Sequence, residues 1–430
     1  MTRTAGALLV AALVLAPSPP ARAQEWRASA TAAFDDVWKT IADTFYDPTF
    51  GGLDWAAVAA ELRPRVLAAA TPDEARGVVR QMLARLKRSH FVLLSANSQD
   101  ALPGEAAVPA EVRVTPDGAL VVRVTDAAAS RAGLAAGQLL VRVDGRDVAP
   151  LIAAAEGPDD RSKTLDAWRR VIRVLHGANG STANLQVREA DGRSSDLQIA
   201  RALGAGEMVT LGNLPPLRVE FESRAVTLAG ARRAGFIRFN YWMTSIANRF
   251  EQAIDQFRHD AGLIIDMRGN PGGLAAMIGG IAGHLMAEPR VLGTMRTRET
   301  QLTFRANPRL VTADARQVMP YAGPVAILVD ELTGSTSEIF AGALQGLGRV
   351  RVFGRQTMGQ ALPALTKQLP NGDVLMYVIG DFVTAAGKSL EGDGVIPDVT
   401  ILLSARSMSA GHDDVVEAAV RWVDSVPRSR

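Results

Sequence analysis

Val325-Ala326-Ile327-Leu328-Val329-Asp330-Glu331-Leu332-Thr333-Gly334-Ser335-Thr336-Ser337-Glu338-Ile339-Phe340-Ala341-Gly342-Ala343-Leu344 reads as a strand, a tight turn and an apolar helix. Val325 to Val329 are apolar without interruption, as expected of a strand covered on both faces. Gly334 marks the turn, and a helix is expected over Ser337–Leu344. The same alternation runs upstream: Gly235–Asn240 and Leu263–Met267 read as strands, Ser245–Phe257 and Leu274–Met286 as helices. Strand and helix in turn, with further strands to follow, predict an α/β core with a parallel sheet from about Met208 onward.

Earlier in the chain the texture changes twice. From Trp26 to Leu94 apolar residues such as Phe34, Val37, Trp38 and Ile41 recur at helical steps. Asp47-Pro48 and Gly51-Gly52 break the pattern, and further helices are expected over Trp55–Ala70 and Pro72–Leu86. Thr71 opens the latter, with Glu74 completing a capping box. This helical cap ends in Lys87-Arg88-Ser89-His90, ahead of the apolar Phe91-Val92-Leu93-Leu94. Short β-type runs then follow at Val112–Val114, Leu120–Thr125, Leu139–Val143, Leu185–Arg188 and Leu197–Ala200, with one helix over Leu165–Leu175. The Ala132-Gly133-Leu134 turn, Val143-Asp144-Gly145 after a strand and the single late helix resemble a PDZ domain, a module that binds extended peptides at a sheet edge. An unspecialised β-rich insert is the alternative.

A chain of 430 residues has room for about two or three domains. The expected division is residues 1–23, 24–97, 105–202 and 208–430. Hydrophobic residues at 47% and charged residues at 21% are globular proportions and exclude a disordered or fibrous chain. Lys+Arg 47 against Asp+Glu 45, with no basic tract interleaved with aromatics, excludes a nucleic-acid surface. Arg3, the apolar Ala5 to Ala16 and the small-x-small Ala21-Arg22-Ala23 make residues 1–23 a signal peptide cleaved after Ala23. The protein is therefore expected to be periplasmic or secreted. No stable membrane anchor is expected, because the apolar run falls short of the ~20 residues that span a bilayer. With no cysteine there is neither a disulfide framework nor a thiolate nucleophile or metal site.

Two junctions carry chemistry, both where core strands run out. Leu263–Met267 leads into Arg268-Gly269-Asn270-Pro271-Gly272-Gly273, whose glycines let backbone N–H groups face a cavity, as an oxyanion site needs. The same residues also suit a plain turn. Ser335, between a buried strand and a helix, follows the logic of a nucleophile elbow. Ser335-x-x-Glu338 equally fits a helix capping box. A serine nucleophile needs a base, and the chain has five histidines. His176 and His259 lie near helix ends, His412 near the C-terminus, and His284 on an apolar helix, whereas His90 follows Ser89 at a helix-to-strand junction. Glu391, Asp393 and Asp398 are candidates for the carboxylate that would orient the base.

Taken together, Gly262-Leu263-Ile264-Ile265-Asp266-Met267-Arg268-Gly269-Asn270-Pro271-Gly272-Gly273, the Gly334-Ser335-Thr336-Ser337-Glu338 turn and Gly392-Asp393-Gly394-Val395-Ile396-Pro397-Asp398 resemble the tail-specific, or C-terminal processing, peptidases and their tricorn-like relatives. The likeness extends to Phe45-Tyr46-Asp47-Pro48 and Asp54-Trp55 in the cap. It implies a multidomain α/β protein: an N-terminal helical cap, a PDZ-like β-rich domain and a serine peptidase core of the ClpP/crotonase-like type. One branch of the family uses a Ser-Lys dyad with the lysine downstream of the serine, where this chain has Met358-Gly359-Gln360-Ala361 and so no base. The tricorn-like branch takes its base from a Ser-His segment in the cap, matched by Ser89-His90, and a glutamate matched by Glu391.

The resemblance implies Ser335 as nucleophile, His90 as base, Glu391 orienting it and Ser89 supporting the network. The oxyanion would be held by N–H groups of Gly273, or its neighbour Gly272, and of Thr336, with no metal or cofactor in the cycle. Substrates would be proteins or peptides engaged by their C-terminal ends. The absent lysine motivates a rival, an inactive peptide- or lipid-binding protein on the same fold. A small-ester esterase is a third reading, in which a PDZ domain would be superfluous.

Overall fold

The computed structural model describes residues 19–95 and 104–427. Most of the expected signal peptide, residues 1–18, lies outside the described residues. The first helix, Pro19–Thr44, begins ahead of the expected cleavage point.

Three helices, Pro19–Thr44, Trp55–Ala68 and Pro72–Ala84, build the cap. Asp54 caps the second through Ala57 N–H, and Thr71 caps the third through Glu74 N–H. Their apolar faces close over Phe34, Val37, Ile41, Leu62, Val66 and Met82, all nearly inaccessible to solvent. Each such buried side chain contributes about 1.5–3 kcal/mol. Trp38 and Trp55 tie the first two helices reciprocally, each indole N–H donating to the other's carbonyl at 3.0 and 3.1 Å. The cap is not a separate body. Leu362, Leu369, Leu375 and Val378, from a hairpin of strands Ala364–Gln368 and Val374–Val378, belong to the same cluster. The apolar run after His90 becomes strand Val92–Leu94 and pairs antiparallel with Val374–Val378. Backbone pairing thus anchors the segment that carries Ser89 and His90.

The second body is β-rich, with Ala110–Thr115 and Ser194–Ala200 at the two edges of an antiparallel sheet. Helix Asp160–Leu175 packs over it and begins five residues earlier than its apolar face suggested, because Asp159 caps it through Ser162 N–H.

The core sheet runs in the order Phe221–Thr227, Arg233–Phe239, Leu263–Asp266, Val325–Val329, Arg351–Gly354, Val399–Thr400. Only its first pair is antiparallel among the described strands. Alternation along the central strands sends Ile265, Ile327 and Val329 to one face, against Phe250, Phe257 and Phe340. Ile264, Ala326 and Leu328 face the other way, against Val415, Ala419 and Val423 of helix Asp414–Ser425. Both faces are covered, which is why these strands read as continuous apolar runs. Because neighbours are parallel, Phe239, Asp266 and Val329 all end at one edge of the sheet.

The expected helix Leu274–Met286 is instead a 3-10 turn, Ala275–Met277, and a short helix, Ile278–Gly283. Added Cβ atoms at Gly279 and Gly283 would meet the carbonyls of Arg305 and Asn307 at 2.4 and 2.3 Å. Close approach to a neighbouring strand, rather than helix propensity, set this composition.

Candidate functional site

Ser335 lies one residue ahead of helix Thr336–Gly346. Its backbone N–H donates to Gln360 O at 2.8 Å and to Glu338 Oε2 at 3.1 Å. The second bond is one half of a capping box, but Ser335 sits at φ 52, ψ −120, outside the extended conformation of an ordinary N-cap. His90 is also left-handed, at φ 61. A non-glycine residue held there costs on the order of 1–3 kcal/mol, and such strain collects at functional sites.

From Ser335 a chain of neighbours leads to His90. Gln360 accepts from Ser335, and the next residue, Ala361, donates its N–H to Glu391 Oε2 at 3.1 Å. Glu391 also accepts the Ser89 N–H on Oε1 and the Ser89 hydroxyl on Oε2, both at 2.9 Å. Ser89 Oγ lies 2.8 Å from His90 Nδ1. The hydroxyl has one proton and gives it to the carboxylate, so its oxygen accepts Nδ1–H from the imidazole. His90 is thereby the Nδ1–H tautomer, and Nε2 carries a free lone pair. Glu391 reaches the ring through Ser89, and no direct hydrogen bond joins His90 to Glu391 or to Ser335 among the described residues. Burial pushes the His90 pKa down to about 4, so the ring is neutral at pH 7.

The other carboxylates lie elsewhere. Asp398 accepts Val352 N–H at 2.7 Å and Gln345 Nε2 at 3.1 Å, bracing strand Arg351–Gly354 against the end of the helix. Among the described residues Asp393 contributes its backbone carbonyl, to Arg161 at 2.9 Å and Gln356 at 2.7 Å. His284 is buried beside Phe250, with ring centroids 5.9 Å apart. His412 pairs with Glu417, and His176 Nδ1 lies 3.2 Å from Gly104 O.

The glycine loop abuts the serine turn. A Cβ on Gly272 would come within 2.7 Å of Ser335 Cβ and 3.0 Å of Thr336 N. Neither Gly273 nor Thr336 uses its N–H in a hydrogen bond among the described residues, whereas Gly272 N–H is taken by Asn270 Oδ1 at 3.0 Å.

Glu338, read from the sequence only as a cap, is a hub. It is inaccessible to solvent and accepts Gly359 N–H at 2.6 Å, Gln360 N–H at 2.9 Å, Ser335 N–H and the Thr357 hydroxyl. Burial raises its pKa to about 7 against those donors. Arg161 and Arg113 reach in from the β-rich body. Arg161 donates to the carbonyls of Thr357 at 3.2 Å, Asp393 at 2.9 Å and Gly392. Arg113 donates to Asp330 Oδ2 at 2.6 Å, while Asp330 Oδ1 accepts the N–H groups of Gly269 at 2.9 Å and Leu332 at 3.0 Å. Lone arginines in a β-rich segment carry no pattern that would single them out.

Residues 233–401 match the serine peptidases of family S41, and residues 24–84 match the tricorn protease C1 domain. The chain resembles carboxyl-terminal-processing peptidases among its relatives. It is 24% identical over 380 residues to carboxyl-terminal-processing peptidase 3, chloroplastic, of Arabidopsis thaliana, covering 85% of this chain and 67% of that protein. It is 27% identical over 422 residues to a tricorn protease homologue of Streptomyces coelicolor, covering 93% of this chain. The chain spans about a third, 32%, of that relative's length. Among solved structures, the photosystem II D1 C-terminal processing protease superposes with TM-score 0.54 at 22% identity, over 92% of this chain and 98% of that one. Mature CPAF superposes with TM-score 0.63 at 14% identity, over 93% and 97%. None of the described helices is long and apolar enough to cross a membrane.

Proposed function

We propose that this chain is an exported serine endopeptidase that cuts unfolded or C-terminal segments of proteins through an acyl-enzyme. Ser335 attacks the peptide carbonyl while His90 Nε2 takes its proton, and His90 then delivers that proton to the leaving amine. Water then attacks the acyl carbon as His90 accepts its proton, and His90 returns that proton to Ser335 Oγ as the acyl group leaves as a carboxylic acid. Glu391 acts through Ser89, which holds the imidazole in the Nδ1–H tautomer and stabilises the imidazolium. The N–H groups of Gly273 and Thr336 receive the oxyanion, Gly272 N–H being held by Asn270. The absence of a His90–Ser335 bond is compatible with a resting site that tightens around substrate.

One observation carries the reading: the relay from Glu391 through the Ser89 hydroxyl to His90 Nδ1, two bonds of 2.9 and 2.8 Å that leave Nε2 free. A purely structural serine and histidine have no need of that tautomer. The residue 105–202 body fits a PDZ-like role between the helical cap, 24–97, and the core, 208–430. Its edge strand Ala110–Thr115 lies beside helix Asp160–Leu175, where Trp168 Nε1 and Arg113 Nη1 occupy the Val112 carbonyl at 3.0 and 3.1 Å. An incoming peptide strand would compete for that carbonyl. Residues 1–23 supply the export signal.

The test is incubation of an unfolded protein with wild type, Ser335→Ala and His90→Ala, with fragments read by mass spectrometry. Cleavage by wild type alone is expected. Equal cleavage by all three, or by none, ends the reading.

A further inference from the structure

Asn270 belongs to the glycine loop but has no part in the chemistry just described. It is inaccessible to solvent, and its backbone and side chain together make four hydrogen bonds. Its backbone N–H donates to Met267 O at 3.1 Å, and its carbonyl accepts Gly334 N–H, the residue before Ser335, at 3.0 Å. Its side-chain Nδ2 donates to Phe239 O at 2.9 Å, and Oδ1 accepts Gly272 N–H at 3.0 Å. One residue therefore joins the end of strand Arg233–Phe239, the glycine loop and the serine turn.

These bonds decide which way the loop's peptides face. With Gly272 N–H satisfied by Asn270, the next peptide turns its carbonyl to Trp242 N–H at 2.9 Å. A trans peptide directs its N–H opposite to its C=O, so Gly273 N–H points away from Trp242. Gly273 is exposed, and its own carbonyl is held by the Thr336 hydroxyl at 2.8 Å. On the other side, Ser335 O accepts Ile339 N–H at 3.0 Å, which turns Thr336 N–H outward from the helix start.

Resting on the peptidase reading above, we propose that Asn270 is the positioning residue of the oxyanion site. By occupying Gly272 N–H it selects Gly273 and Thr336 as the donor pair, and through Gly334 it sets their distance from Ser335. Asn270 touches neither substrate nor reacting atoms.

The experiment compares wild type, Asn270→Ala, Asn270→Asp and Ser335→Ala in peptide hydrolysis, in affinity for a dipeptidyl boronate that forms a tetrahedral adduct, and in melting temperature. For Asn270→Ala, kcat falls about 10²-fold and boronate affinity falls in proportion, the loss expected of one misaimed oxyanion donor. KM stays within about threefold, because ground-state binding is untouched. Asn270→Asp keeps an acceptor for Gly272 but sets an oxygen against Phe239 O, and its activity relative to wild type rises from about pH 8 to about pH 6 as the carboxyl protonates. A kcat for Asn270→Ala within a few-fold of wild type, or a loss confined to KM, overturns the proposal. If Asn270→Ala does not fold, a pH-independent Asn270→Asp ratio overturns it. Wild type no more active than Ser335→Ala ends the peptidase reading and this proposal with it; active wild type with unaffected Asn270 variants ends the proposal alone.

Discussion

At the scale of single residues, His90 ties chemistry to stability. Its pKa is lowered from 6.5 to about 4 by burial, so the native state resists a proton that the unfolded chain accepts. Between those values the unfolded state binds more protons, and stability falls as the pH falls. Replacement by glutamine removes this dependence. Wild type is therefore expected to lose about 3 kcal/mol relative to His90→Gln on going from pH 6.5 to pH 4, read by denaturant titration at each pH. His284 is lowered similarly but is present in both proteins and cancels. With His90 as the proposed base, the same shift is expected to place the acid limb of kcat/KM near pH 4 rather than 6.5 in steady-state pH profiles. Ser89 has a separate signature. Ser89→Ala breaks the relay without touching Ser335 or the ring, and a kcat loss of about 10²-fold with unchanged KM is expected in steady-state kinetics.

At the scale of elements, the start of helix Thr336–Gly346 is organised by Glu338 rather than by Ser335. Its carboxyl group gathers the serine turn and the Thr357–Gln360 segment around one buried group. The pH dependence runs opposite to that of His90. A carboxyl raised from 4.5 to about 7 holds its proton more tightly in the native state, so its contribution is present below 4.5 and is lost as the pH rises through 7. Glu338→Gln should lower stability by about 1–3 kcal/mol at neutral pH, because an amide N–H₂ would face donors in place of an acceptor. The deficit should widen toward pH 4.5, as thermal melts across that range would register. Here the sequence was only partly informative. Ser335-x-x-Glu338 was legible as a cap, but three of the four donors come from residues that a capping motif does not mention.

At the scale of the whole molecule, the candidate site depends on how the β-rich body meets the core. Arg113 and Asp330 form a buried ion pair across the boundary between the β-rich body and the core, and Asp330 also holds Gly269 and Leu332. Removing one partner of such a pair leaves an uncompensated charge and costs about 3–5 kcal/mol. Arg113→Met should destabilise by that order and speed amide exchange at residues 267–273 and 330–335, measured by mass spectrometry. Arg161 acts on the carbonyls of Thr357, Gly392 and Asp393. Arg161→Ala should loosen the Glu391 segment in the same experiment while leaving residues 267–273 unchanged.

Periodicity and breakers were sufficient for the elements. Val325–Val329 emerges with the ends that its apolar run implied, and Leu263–Asp266 ends one residue short of its expected close, since both faces of each strand are buried and the chain records that directly. The turn residues Gly334-Ser335 and Gly272-Gly273 were equally plain, because glycine marks places where other side chains do not fit. Residue spacing alone did not choose among Glu391, Asp393 and Asp398, nor between Gly272 and Gly273. What distinguishes these residues in the structure is hydrogen bonding between distant segments, as between Ser89 and Glu391, 302 positions apart in sequence. Such bonds leave no periodic trace, since a polar residue reads the same wherever its partner lies. The local chain determined strands, turns and their chemistry; only tertiary packing decided which serine faces which carboxylate and which N–H stays free.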